Sequence, residues 1–297
     1  MSSSPASLIN ILYLRGPCRK NFLIEGEDLL ISSRNDEYPQ GWGFLQFPLE
    51  GRLGKPRAGG LTMVMDKGLG LSEINDLLDL ASDYVDFIKL GFGTSALYPL
   101  PLLEKKIDIA ASHGVGIYPG GTFLEVAILQ GRLNKYLRTC RGLGFTAVEV
   151  SDGTMDLSAG DRADAIKKGV DMGFTVFSEV GKKDPRDIKE AESYYEQIHE
   201  DLVNGAFKVI IEGRESGKDV AIYDSRGEIE ENYFSALKSS IEDLDSVLWE
   251  APLKKQQQEL IIRFGPNVNL GNIHPGDMLS LEALRVGFRG DTLRTCL

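Results

Sequence analysis

Acids and bases recur in this chain where short apolar runs end. Phe177-Ser-Glu-Val-Gly-Lys-Lys183 leads a β-rich run into the carboxylate of Glu179 and the adjacent ammonium groups of Lys182 and Lys183, with Gly181 free to turn the backbone. Met65-Asp66-Lys67-Gly68, Phe87-Ile88-Lys89-Leu90-Gly91, Val148-Glu149-Val150-Ser151-Asp152-Gly153 and Ile210-Ile211-Glu212-Gly213-Arg214-Glu215 repeat the pattern. One charge after a strand reads as a solvated loop. Five such endings in series read as one shared polar site, because barrel enzymes gather their chemistry at the C-terminal ends of the strands.

Lys67, Lys89, Lys182 and Lys183 at those ends suit a small, multiply anionic ligand held in a site of lowered dielectric. Packed together, they are expected to depress one another's pKa, which makes the most desolvated of them a proton donor near neutral pH. Arg57, Arg214 and Arg289 offer bidentate grips on phosphate or carboxylate, with Arg214 the best placed. Gly120-Gly121-Thr122 opens a helix whose free backbone N–H groups form an anion pocket, and Ser151 adds a hydroxyl beside Glu149. Asp66, Glu149, Asp152, Glu179, Glu212 and Glu250 also fall at strand ends. A hard cation such as Mg2+ takes oxygen ligands and bridges carboxylates to a phosphorylated substrate, so Glu179, Asp152 and Glu149 are expected nearest a metal, and other acids pair with the lysines. Asn269 is expected as a hydrogen-bonding wall residue at the end of the eighth strand.

The composition narrows the chemistry further. The three histidines, His113, His199 and His274, form no cluster and none falls in a strand-end motif, which argues against a histidine triad or a zinc-hydrolase site. Cys18, Cys140 and Cys296 lack paired spacing, so a reduced, cytoplasmic protein is expected. Lys and Arg number 33 against 44 Asp and Glu, a net charge of −11, which argues against nucleic acid or an anionic membrane as a partner. The apolar run from Leu8 to Leu14 is too short to span a membrane.

The elements that must position these residues follow a regular alternation. Strands are expected at 61–66, 84–90, 115–118, 147–150, 175–179, 208–212, 247–250 and 268–270. Helices are expected at 72–81, 100–113, 122–142, 158–172, 184–204, 230–243, 253–264 and 277–287, with Ser72 and Ser158 at helix starts. Eight β-then-α units in about 230 residues fit a (β/α)8 TIM barrel in the α/β class. Residues 1–50 stand outside the rhythm as an N-terminal extension packed on the barrel, with a β-hairpin expected at Glu37-Tyr-Pro-Gln-Gly-Trp42, and 51–297 form the catalytic barrel.

Lys55-Pro-Arg57, Leu61-Thr-Met-Val-Met-Asp-Lys-Gly68, Tyr84-Val-Asp-Phe-Ile-Lys-Leu-Gly-Phe-Gly-Thr-Ser95, Tyr118-Pro-Gly-Gly-Thr122, Glu149-Val-Ser-Asp-Gly153, Glu179-Val-Gly-Lys-Lys183, Ile211-Glu-Gly-Arg-Glu-Ser-Gly217 and Arg289-Gly-Asp-Thr292 resemble the motifs of the phosphosulfolactate synthase family. The resemblance runs from about Phe44 to the C-terminus. It implies a lyase-class (β/α)8 barrel that uses Mg2+ to add sulfite to phosphoenolpyruvate, giving (2R)-phospho-3-sulfolactate, with Lys183 as the proton donor to C2. In archaeal members that product leads toward coenzyme M, in some bacteria toward sulfolactate. The resemblance also covers plant heat-stress-associated relatives, so a non-catalytic role stands as the alternative, as does addition of a different nucleophile to an enolpyruvate. A homo-oligomer is compatible with the sequence.

Overall fold

The computed structural model describes residues 45–182, 191–220 and 222–297; Lys183 and the expected hairpin at Glu37–Trp42 lie outside the described residues. Among the described residues, eight short strands alternate with helices. The strands are β1 (Thr62–Asp66), β2 (Phe87–Leu90), β3 (Gly116–Pro119), β4 (Ala147–Ser151), β5 (Thr175–Val180), β6 (Lys208–Ile211), β7 (Val247–Glu250) and β8 (Leu270–Ile273). The helices are α1 (Leu71–Ala81), α2 (Leu100–Ser112), α3 (Gly121–Leu129), α4 (Leu133–Leu143), α5 (Ala159–Asp171), α6 (Ala191–Val203), α7 (Glu231–Ser240), α8 (Lys254–Phe264), α9 (Met278–Arg285) and α10 (Gly290–Leu293). All strand pairs are parallel, in the order β3-β2-β1-β8-β7-β6-β5-β4. This is the expected (β/α)8 barrel, and most of the expected extension at 1–50 lies outside the described residues. At the seam between β3 and β4, the Thr146 N–H donates to the Ile117 carbonyl at 3.2 Å and the Thr146 hydroxyl accepts from the Ile117 N–H at 3.1 Å. No helix among the described residues is long and apolar enough to cross a membrane.

Strand side chains alternate between two apolar layers because successive Cβ atoms point to opposite faces. Ile88, Val148, Val176 and Val209 face outward into a shell shared with the helices. Met63, Tyr118, Ala147, Phe177, Ile210 and Leu248 face inward, with Phe87 packed against them, and plug the barrel. Phe177 is the hub: its ring meets Phe87 edge-on at 4.9 Å and stacks on Tyr118 at 5.3 Å.

Three expected boundaries shift for local reasons. The single helix expected over 122–142 is two helices, because Gly131 takes a left-handed φ of 64° and ends α3 with a turn. The eighth strand is Leu270–Ile273 rather than 268–270, so Asn269 lies before the strand and not at its active end. The first helix begins at Leu71, where the Gly70 N–H donates to the Glu73 carboxylate at 2.7 Å, rather than being capped by Ser72. Ser158 does cap α5, accepting from the Asp161 N–H at 3.1 Å.

The N-terminal pole of the barrel is closed by buried polar ties. Asn269 accepts from the Leu61 N–H at 2.9 Å and donates to the carbonyls of Asp245 and Val247. Arg57 forks onto Asp86, which in turn accepts from the Thr62 N–H at 2.8 Å. Arg285, fully buried, donates to the carbonyls of Pro266, Val268 and Leu61. Arg57 and Asn269, expected as substrate contacts, therefore stand at the pole opposite the strand C-termini, where they fix the strand starts. Just ahead of the barrel, the Leu49 N–H donates to the Val286 carbonyl at 3.1 Å and Arg52 forks onto Glu282 of α9.

Because Phe177 is fully buried at the centre of the plug, Phe177→Ala is expected to cost about 3–5 kcal/mol through lost transfer energy and the cavity left behind. A denaturant titration checks this; a midpoint at the wild-type value shows that the plug collapses around the gap.

Candidate active site

The residue two positions beyond each inward plug residue points the same way, one layer nearer the C-terminal rim. On six strands this step runs from Met63 to Met65, Phe87 to Lys89, Ala147 to Glu149, Phe177 to Glu179, Ile210 to Glu212 and Leu248 to Glu250. Those six second residues, with Gly120, Gly121, Thr122, Arg214, Glu215 and Asn272, line a cavity of about 310 Å³ at the rim. The apolar plug forms the floor of this cavity and a ring of charge forms its wall.

Lys89 stands at the centre of that ring. Its ammonium lies 2.9 Å from Glu149, 3.1 Å from Glu179 and 3.1 Å from Glu250. Burial alone would lower its pKa, but the three carboxylates hold it well above the usual lysine value. Backbone donors fix the acids in turn. Glu149 accepts from the Gly121 N–H at 2.7 Å and Glu250 from the Gly213 N–H at 2.9 Å. A side chain at 121 would bring its Cβ to 2.5 Å from the Ser151 hydroxyl and 2.8 Å from Glu149, so only glycine lets α3 start this close to β4.

Among the described lining residues, the buried acids Glu149, Glu179, Glu212 and Glu250 face the single buried ammonium of Lys89. That imbalance shows in Glu149, pushed up to about 7 by burial, opposed by Lys89 and reinforced by Glu179 and Glu250. Glu179, Glu212 and Glu250 each bring one carboxylate oxygen within 4.8 Å of the others. An all-oxygen donor set carrying excess negative charge fits a hard divalent cation of the Mg2+ kind.

Arg214 supplies the complementary charge. Its backbone N–H donates to Glu212 at 2.6 Å, and Asn272 donates to its carbonyl at 3.3 Å. Both residues hold left-handed φ values, 56° for Arg214 and 54° for Asn272, a strained state for non-glycine residues that the surrounding bonds sustain. The Arg214 guanidinium lines the cavity and makes no hydrogen bond or ion pair among the described residues. It is ready to take a phosphate or carboxylate.

The other expected site residues divide. Thr122 and Gly121 line the cavity. Lys67 pairs with Glu215 at the exposed mouth and is not part of the lining. Lys182 points away: its ammonium donates to the Asp152 carbonyl at 2.6 Å and to Asp156 at 2.8 Å. Burial would lower the Lys182 pKa, but the Asp156 hydrogen bond and the charge of Asp152 raise it. Neither Lys89 nor Lys182 is thus the depressed lysine that mutual repulsion would create; each is separated from like charge by carboxylates. Asp152, expected beside the metal, faces Arg162 at 3.2 Å and Lys182 at 3.4 Å instead. The Ser151 hydroxyl is committed to Glu125 at 2.6 Å, which also accepts from the Thr154 and Met155 N–H groups and so pins the loop after β4. Arg289 faces Asp291 at 3.9 Å near the C-terminus.

Sequence reasoning gave Arg162 and Lys106 no role. Arg162, nearly fully buried on α5, joins Asp152, Asp201 and the Glu179 carbonyl, and so anchors the end of β5. Lys106, fully buried on α2, pairs with Asp66, which accepts from the Gly68 and Leu69 N–H groups and shapes the turn that carries Lys67. Both are cations at helix positions facing the sheet, where an apolar residue is the ordinary choice. That is the signal that marks them in sequence.

A model of the (2R)-phospho-3-sulfolactate synthase (ComA) family matches residues 50–291. The chain is 46% identical to the phosphosulfolactate synthase of Methanothermobacter thermautotrophicus over 82% of its own length and 94% of that protein. It is 39% identical to the phosphosulfolactate synthase of Bacillus subtilis, over 84% of this chain and 97% of that one. Similarity to Protein HEAT-STRESS-ASSOCIATED 32 of Arabidopsis thaliana is lower, 24% over 80% of this chain and 89% of the plant protein.

Removing the central ammonium takes away the cation that three buried acids share. Lys89→Met is expected to destabilise the protein by about 3–5 kcal/mol in metal-free buffer, read as the shift of the denaturation midpoint. A loss below about 1 kcal/mol, the range of an exposed ion pair, refutes the pairing as the organising contact of the rim.

Proposed function

Because the chain belongs to the phosphosulfolactate synthase family, we propose that it adds sulfite to phosphoenolpyruvate at the C-terminal rim of the barrel, giving (2R)-phospho-3-sulfolactate. The observation that carries this reading is the convergence of Glu179, Glu212 and Glu250 beside Arg214, whose guanidinium has no partner among the described residues. One set of groups suits a hard cation and the other an oxyanion, and a phosphorylated carboxylate substrate asks for both.

Glu179, Glu212 and Glu250 would hold Mg2+, in place of the Glu179, Asp152 and Glu149 set that spacing suggested, because Asp152 is turned toward Arg162 and Glu149 toward Gly121. When bound, the ion supplies Lewis-acid neutralisation of the charge that develops on the substrate carboxylate. Arg214 and Thr122 would orient the anionic groups of phosphoenolpyruvate, while the Gly121 N–H at the start of α3, expected as part of a free anion pocket, is committed to Glu149. The sulfur lone pair of sulfite forms the bond to C3, the C2–C3 π electrons move onto the carboxylate as an enediolate, and a proton delivered to C2 restores the carboxylate. Lys183, which follows Lys182 in the chain, is the proposed donor of that proton. Lys89 keeps its proton and holds Glu149, Glu179 and Glu250 in register, an electrostatic and positioning role. Two mutually repelling anions must be brought together, so charge neutralisation and alignment carry most of the acceleration. The free, buried Cys140 agrees with a reducing cytoplasm as the place of reaction. The product would feed sulfonate synthesis, toward coenzyme M or sulfolactate.

Incubation of the pure protein with phosphoenolpyruvate, sulfite and Mg2+ should yield phosphosulfolactate by mass spectrometry, and none after exhaustive chelation. A folded, metal-replete protein that forms no adduct would defeat the assignment, and full turnover after chelation would remove the metal. Glu212→Gln is expected to raise the Mg2+ concentration for half-maximal rate roughly tenfold or more.

Lys183→Ala should lower kcat by about 10²–10⁴-fold, the range of a lost general acid, with the far-UV circular dichroism unchanged. Wild-type kcat in that variant assigns the proton to another group.

A further inference from the structure

Outside the barrel, α2, α3 and α4 enclose a second cavity of about 390 Å³ that the proposed reaction does not use. Leu103, Phe123, Val126, Leu143 and Phe145 make its walls apolar. The Cys140 thiol also lines it, but burial pushes that thiol up to about 12, so it is inert as a nucleophile and the cavity is suited to binding rather than to covalent chemistry.

Three polar features give the cavity a direction. Arg132 and Lys135 lie on its lining, are exposed, and make no side-chain hydrogen bond or ion pair among the described residues. They belong to a local excess of positive charge: from Val126 to Thr146 the chain carries Arg132, Lys135, Arg138 and Arg141 and no acid, although its net charge is −11. Inside, the Ser95 hydroxyl is buried and has no partner among the described residues.

This cavity and the proposed active site share structural elements. The 3-10 turn Gly91–Ala96 gives Gly91 and Phe92 to the active-site lining and Ser95 and Ala96 to the second cavity. Helix α3 gives Gly121 and Thr122 to the first, Phe123 and Val126 to the second. Phe92 and Gly93 hold consecutive left-handed φ values of 56° and 65° in that turn. A ligand that moves α3 or the turn therefore moves the wall of the catalytic cavity.

We propose that this cavity is an effector site for a small amphipathic organic anion of the medium-chain carboxylate class, its chain against the apolar walls and its charge at Arg132 and Lys135. The test titrates octanoate into the full chain by calorimetry, with octylamine as the probe of equal tail and opposite charge. Octanoate should bind saturably at one site, and roughly tenfold tighter than octylamine, about 1.4 kcal/mol. R132E/K135E, on the exposed rim, should abolish that preference without unfolding the protein. Octanoate at saturation should shift the KM for phosphoenolpyruvate about fivefold in the wild type and leave R132E/K135E unchanged. The calorimetric arm needs no turnover, so its result is independent of the proposed reaction. No saturable heat, or equal binding of the two probes, overturns the site, and binding without a kinetic shift overturns its role as an effector. Sedimentation that shows self-association abolished by R132E/K135E and indifferent to octanoate reassigns the face to contact between copies of this chain, and also overturns the proposal.

Discussion

Among the described lining residues, four buried carboxylates stand against one buried ammonium that pairs with three of them, and the site is built around that shortage of positive charge. Lys89 lies within 3.1 Å of Glu149, Glu179 and Glu250, residues from three different strands. No one of these acids is neutralised on its own, since a single charge divided among three leaves each in need of further partners. The Gly121 and Gly213 N–H groups provide two of them, and the raised Glu149 pKa marks what remains. A buried ionic set of this kind adds little net stability compared with apolar packing. Its value lies in fixing the carboxylate oxygens of one wall, where under the proposed function a divalent cation and an anionic substrate would meet.

The barrel permits this because its interior is layered. Met63, Tyr118, Ala147, Phe177, Ile210 and Leu248 exclude water beneath the ring, and the strand alternation puts the next inward residue of five of these or neighbouring strands, Lys89 and the four glutamates, directly above. The low dielectric of the plug below strengthens each charge interaction relative to water. The same reasoning explains the glycines. Where α3 and the loop after β6 approach the ring, Gly121 and Gly213 bring bare backbone donors to Glu149 and Glu250, and a Cβ at 213 would lie 2.6 Å from the Glu250 carbonyl oxygen. At the opposite pole, the charge of Arg57 is spent on Asp86, and Asp86 and Arg285 are spent on backbone groups at the strand starts, away from the cavity.

The alternation of strands and helices was readable from the chain, since parallel strands covered on both faces appear as short Val-, Ile- and Phe-rich runs. So was the concentration of charge at the strand ends. The division of labour within that charge was not. Asp152 and Glu250 look alike as strand-end acids, but Asp152 lies past β4 and meets Arg162, whereas Glu250 keeps the two-residue step from Leu248 and faces the cavity. Counting that step from each plug residue separates the two; distance from the end of an apolar run does not. Asn269 illustrates the cost of a boundary error, because a strand displaced by two residues moves its side chain from one pole of the barrel to the other. The pairing of Lys182 with Asp152 and Asp156 depends on long-range packing of β4 against β5 and leaves no local trace.

An acidic rim is an unexpected host for the proposed reaction between anions, and the balance of charge resolves the tension. Were the rim lined with lysines alone, their repulsion would lower their pKa values and drive protons off, which weakens the grip on substrate near neutral pH. Interleaving carboxylates does the opposite: it keeps Lys89 and Lys182 charged and holds them in place. In the proposed function the surplus negative charge would act as a specificity device, because a substrate anion arriving without a cation would meet repulsion from Glu179, Glu212 and Glu250, whereas one arriving with a cation would meet a prepared donor set. Arg214 stands outside this exchange, its guanidinium without a partner among the described residues, and the left-handed backbone that presents it is strain balanced by the bond to Glu212 and the bond from Asn272. In the proposed reaction the acids thus select the metal-bearing substrate, and the free arginine, rather than a cluster of amines, gives its anionic end a place to rest.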